Sequence, residues 1–186
     1  MSQAELAAYV QSHLRKEGIT VVLSGGAAVA IYSSNKYVSA DIDLVNVNFT
    51  DRRKIKKAME EIGFKETDRH FTHPGTKHIV EYPAGPLSVG QEAVHQIDKI
   101  KFTTGILEII SPTDCVKDRL SAFYYWGDRQ SLSQAIFVAR ARKIKLEEIR
   151  RWSKESGNLR EFKIFLEGLQ IKKEKSDRRK TPGSVK

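Results

Sequence analysis

Val22-Leu23-Ser24-Gly25-Gly26, then fourteen residues, then Asp41-Ile42-Asp43-Leu44: this stretch decides how the chain is read. Ile19 to Leu23 is short, apolar and β-branched, which predicts a buried strand. Ser24-Gly25-Gly26 breaks it, and residues 27–33 (AAVAIYS) predict a short helix. Paired glycines let a backbone take φ > 0 and approach a ligand closely. The following helix aims its positive N-terminal end and free N–H groups at the same place, which suits an anion such as a triphosphate. Residues 41–47 (DIDLVNV) alternate polar and apolar, so they predict a strand with Asp41 and Asp43 on one side. Two parallel carboxylates repel each other unless a cation lies between them. Hard oxygen ligands beside a phosphate point to Mg²⁺ or Mn²⁺.

Working outward, residues 4–16 predict a helix stopped by Gly18, and residues 51–62 a second helix with Thr50 as its cap and Gly63 at its end. Strands are predicted over 78–82 (HIVEY), over 106–110 (ILEII) and near 97–102. From Pro112 to Leu169 the pattern is helical, three or four helices broken near Gly127 and Gly157-Asn158, with the aromatics packing between helices. The expected fold class is therefore α/β (α+β): a mixed-sheet head over 1–111, a helical part over 112–171, and a basic, disordered tail over 172–186.

Composition narrows the classes. The chain has 186 residues, and Cys115 is its single cysteine, so a disulfide scaffold and a Cys-rich zinc module are excluded. No apolar run approaches the roughly 20 residues of a membrane span. The first ten residues lack a basic region followed by an apolar run, so no signal peptide is expected and the cytoplasm is the expected compartment. The net charge is +9, which suits a nucleic-acid or nucleotide partner; more than half of that excess lies in residues 172–186, which also read as a solubilising end.

Ser24-Gly25-Gly26…Asp41-Ile42-Asp43 resembles the signature of the DNA polymerase β-like nucleotidyltransferase superfamily. More narrowly, residues 24–44 (SGGAAVAIYSSNKYVSADIDL) resemble the small bacterial nucleotidyltransferases that include abortive-infection toxins of toxin–antitoxin pairs. The resemblance implies that Ser24, Gly25 and Gly26 bind the nucleoside triphosphate. It implies that Asp41 and Asp43 hold catalytic metals, and that a third carboxylate stands on a later strand. Glu81 in HIVEY fills that place, with Glu in place of the more usual Asp; Glu108 in ILEII is its competitor. Beyond Pro112, PTDCVKDRLSAFYYWGDRQ resembles a helical motif with a Lys and a later Asp near the nucleotide, and Lys117 and Asp128 match those positions. The resemblance spans about residues 19–130. The implied activity is transfer of a nucleoside monophosphate from an NTP to an RNA, protein or small-molecule acceptor, with an antitoxin as a further partner. The alternative is a catalytically degenerate nucleotide-binding, RNA-binding or protein-interaction module. His70, His73 and His78 read as surface or loop histidines, and Cys115 as a buried thiol.

Overall fold

In the computed structural model, residues 1–178 are described, with side chains through 170. The basic segment 172–186 lies outside the residues with described side chains, and 179–186 lie outside the described residues altogether.

The first helix, α1 (Gln3–Lys16), starts on a reciprocal cap: Glu5 N donates to Ser2 Oγ while Ser2 N donates to the Glu5 carboxylate at 2.8 Å. It leads into β1 (Val21–Ser24), α2 (Gly25–Tyr32), β2 (Asp41–Asn46) and α3 (Arg52–Glu61). Asp51, not Thr50, caps α3, accepting from Arg53 N at 2.7 Å. Five short strands follow: β3 (Lys65–Thr67), β4 (His70–Thr72), β5 (Ile79–Glu81), β6 (Ser88–Val89) and β7 (Glu92–Ala93). Then come β8 (Ile97–Phe102) and β9 (Gly105–Ile110). The C-terminal helices are α4 (Pro112–Trp126), α5 (Arg129–Ala141), α6 (Leu146–Glu155) and α7 (Leu159–Arg178). Gly127 ends α4 in the left-handed conformation at φ +67, as a C-terminal glycine does.

Seven strands form one sheet in the order β3-β4-β5-β2-β1-β9-β8, and β6 pairs only with β7. The sheet is mixed: β1 is antiparallel to β2 and parallel to β9, while β2 is parallel to β5. The fold is the expected mixed α/β arrangement. Helix α1 packs on β1, β8 and β9 and against α3; α2 packs on β1 and β2 and against α4 and α5. One hydrophobic cluster runs from Leu6 and Val10 through Leu23, Ile42 and Leu107 to Leu120, Trp152 and Phe165, so the helical part and the sheet share a core. The aromatics do pack between helices: Tyr124 stacks on Trp152 at 5.5 Å between centroids.

Candidate active site

The site is assembled by strand register. Ser24 stands opposite Asp43 in the β1–β2 pairing, and Asp43 opposite Glu81 in the β2–β5 pairing. Residues opposite one another share a face of the sheet. Ser24, Asp43 and Glu81 therefore form a row across three adjacent strands, each about 4.8 Å from the next. Asp41 lies on the same face of β2, two residues along, opposite Ile79. The intervening Ile42 is fully buried and opposite Val80, so the alternation that fills the core also presents the carboxylates.

The turn after Ser24 is built around Asp43. Gly25 sits at φ +65, and a Cβ there would overlap Oδ2 of Asp43. Only glycine leaves the carboxylate this close to the start of α2. The Ser24 side chain makes no capping bond to that helix, which leaves its hydroxyl available. Gly26 faces a different neighbour: a Cβ there would stand 2.8 Å from Ser39 Oγ and 3.3 Å from the Tyr37 ring. Its smallness thus admits the segment that leads into β2. Ser39 pins that segment, donating to Asp41 O at 3.1 Å and accepting from Asp41 N at 3.3 Å. Gln3 Nε2 donates to the same two residues' carbonyls at 3.0 and 3.2 Å.

Electrostatics mark Asp43 as the strained member. Burial first, then the neighbouring charges of Glu81 and Asp41, push its pKa up to about 6. Arg119 opposes the rise, and Asp118 adds to it. These two residues of α4 are the ones the sequence reading missed. It took their neighbour Lys117 instead, because three consecutive charged residues on a helix point three ways and only the docking of α4 decides between them.

Lys117 is placed elsewhere. It is 2% exposed, and its ammonium lies 2.8 Å from Glu148, 3.4 Å from Glu92 and 3.6 Å from Asp114. Burial would lower its pKa, but Glu148 and the other carboxylates outweigh that and hold it above the usual lysine range. Its cation is thus committed to tying α4, α6 and β7 together. Asp128 is also occupied: it is the N-cap of α5, accepting from Gln130 N at 2.8 Å and from Ser131 Oγ at 2.6 Å. Glu108 is engaged away from the row, by Arg15 at 2.9 Å and Lys99 at 3.0 Å. His70 is a strand residue rather than a loop residue.

Beside Ser24 a cleft of about 290 Å³ is lined by Val45, Pro83, Leu87, Ile110 and Asp118. Among the described residues no three His, Cys, Asp or Glu side chains converge on one point as a metal site. The three-carboxylate centre expected from Asp41, Asp43 and Glu81 is therefore not formed by these side chains alone. Asp41 and Asp43 fit a hard divalent cation, whose remaining ligands would be phosphate oxygens and water.

No protein-family model and no curated protein matches this sequence. Solved structures do match the fold. An antigenic nucleotidyltransferase-like protein from Paracoccidioides brasiliensis superposes with TM-score 0.55 at 17% identity, over 74% of each chain. The lincosamide antibiotic adenylyltransferase LnuA, solved with lincomycin, gives 0.52 at 16% identity, over 76% of this chain and 99% of that one. ANT(2")-Ia, solved with adenylyl-2"-tobramycin, gives 0.51 at 12% identity, over 81% and 94%. The chain has the fold of the nucleotidyltransferases.

Proposed function

We propose that this protein is a nucleotidyltransferase that moves a nucleoside monophosphate from an NTP to a hydroxyl of an acceptor. The observation that carries the reading is the row Ser24–Asp43–Glu81, with Gly25 closed against Asp43 at the start of α2. The Ser24 hydroxyl and the first N–H groups of α2 hold the β- and γ-phosphates. Asp41 and Asp43 hold a divalent cation, Mg²⁺ or Mn²⁺, which when bound supplies charge stabilisation to the entering and leaving oxygens. Glu81, at the far end of the row, accepts the proton of the acceptor hydroxyl. That oxygen bonds to the α-phosphorus as the bond to pyrophosphate breaks. Arg119, whose guanidinium is paired with Asp118, lies within electrostatic reach of Asp43 and offsets its charge.

The acceptor is a small molecule, an RNA or a protein. The two antibiotic adenylyltransferases of this fold make small hydroxyl-bearing molecules the first arm of a search. The test incubates the protein with each NTP radiolabelled in the α-phosphate, Mg²⁺ or Mn²⁺, and small-molecule, RNA and protein fractions of the native cell. Label transferred by the wild type and lost in Asp43→Asn supports the reading. Nucleotide binding with no transfer to any fraction selects the degenerate binding module instead. A role as the toxin of a toxin–antitoxin pair rests on the resemblance of residues 24–44, and co-purification of a second chain from the native cell tests it.

A further inference from the structure

The register extends the row by one more strand. His70 stands opposite Glu81 in the β4–β5 pairing, and Thr67 opposite His70 in the β3–β4 pairing. Partners in register share a face, so His70 follows Ser24, Asp43 and Glu81 in a single line across β1, β2, β5 and β4. One strand spacing of about 4.8 Å separates it from Glu81. The other face of this part of the sheet is closed: Phe71 and Val80 are fully buried, and the Arg52 guanidinium of α3 lies 5.0 Å from the centre of the Phe71 ring. The face that carries His70 is open, with Lys65 and Thr67 exposed and Thr72 half-buried. Among the described residues the His70 side chain makes no hydrogen bond and no ion pair, whereas His13, His73 and His78 are each engaged with backbone.

A half-buried imidazole with both nitrogens unused, next in line to the proposed base, faces the position the acceptor must occupy. The nucleotide end of the row is fixed by Ser24 and α2, so the acceptor arrives from the β4 end. We propose that His70 binds the acceptor, its imidazole hydrogen-bonded to the hydroxyl-bearing moiety presented to Glu81. Thr67 and Thr72 extend the same shelf along β3 and β4. The shelf offers hydroxyls, an imidazole and the Lys65 ammonium, and the turn that joins β3 to β4 adds Asp68 and Arg69, which line one cleft with Glu81.

This inference rests on the nucleotidyl-transfer reading, and the experiment separates the two. The probe is an α-labelled NTP with an extract of the native cell, its small molecules retained, as acceptor source, diluted over a wide range. His70→Ala is expected to lower transfer about tenfold at limiting extract and to recover at saturating extract, the signature of lost acceptor binding. NTP affinity by titration calorimetry and the melting temperature are expected to stay at wild-type values. His70→Asn, which keeps a hydrogen-bonding group near the same place, is expected to restore most of the loss. Wild-type extract dependence in His70→Ala, or an equal loss of NTP affinity, overturns the assignment. Absence of transfer by the wild type to any fraction, by contrast, removes the nucleotidyl-transfer reading itself, and full transfer in Asp43→Asn removes Asp43 from its site.

Discussion

Gly25 and Asp43 leave no room for a side chain between them: a Cβ on Gly25 would overlap Oδ2 of the aspartate and stand 2.9 Å from its Cγ. Gly25→Ala must therefore displace the carboxylate as well as strain a residue held at φ +65. The strain costs about 1–2 kcal/mol. Moving a catalytic group by about an ångström costs on the order of a hundredfold in rate. Gly127→Ala is the control, at φ +67 with nothing within 4 Å of its added Cβ. Both variants are expected to lose similar stability in thermal melts, and only Gly25→Ala to lose transfer.

The charge on Asp43 weakens the metal-free fold. Its pKa is raised to about 6 in the folded chain, above the ordinary aspartate value, so the folded state prefers it protonated. The stability this contributes is complete below about pH 4 and is lost as pH rises through about 6. Asp43→Asn is therefore expected to stabilise the protein by about 1–2 kcal/mol at pH 8, once solvent screening is allowed for, and to change little at pH 4. Melting curves of both proteins in chelator across that range check it. Added Mg²⁺ is expected to remove the difference by raising the wild type alone.

Lys117 is expected to behave as a structural cation. Lys117→Met removes the buried cation shared by Glu148, Glu92 and Asp114, while Glu92 keeps Arg151 at 2.9 Å and Glu148 keeps Lys145 at 3.7 Å. Because Glu148 and Glu92 retain about a third of their exposure, the loss is at the low end for a broken buried pair, about 2–3 kcal/mol. Chemical denaturation measures it. NTP affinity at a temperature where the variant is folded is expected to match the wild type; a selective loss of affinity would restore Lys117 to the phosphate site.

Asp128→Ala removes the α5 cap and is expected to cost about 1 kcal/mol. Asp128→Ser, a comparable capping residue, is expected to restore it. Neither variant should change transfer at saturating NTP.

The proposed nucleotide half of the site is legible because it is local. A β-branched run, two glycines and an alternating Asp-Ile-Asp are each readable within a few residues, and the structure puts Val21–Ser24 and Asp41–Asn46 close to where the pattern put them. Glu81 was legible for the same reason, standing in the apolar run HIVEY. What lay beyond reach depends on partners distant in sequence. His70-Phe71-Thr72 is three residues long, too short to show a period, and becomes a strand only by pairing with Lys65–Thr67 and with Val80 and Glu81. Lys117, Asp118 and Arg119 differ only in which way a helix carries them, and Glu148, which claims Lys117, is 31 residues away. The neighbours that require Gly26 to be small, Tyr37 and Ser39, come from the approach to β2, which the local pattern does not show.

The strand order has an evolutionary corollary. β3 and β4 are consecutive in sequence and sit together at one rim of the sheet, joined to the rest only through β5. A hairpin in that position can be lengthened, shortened or exchanged without re-threading any other strand. The proposed triphosphate end of the row, built from β1, α2 and β2, is insulated from such changes. On the proposed reading, changes within residues 62–78 would alter the acceptor while leaving the nucleotide site of β1, α2 and β2 intact.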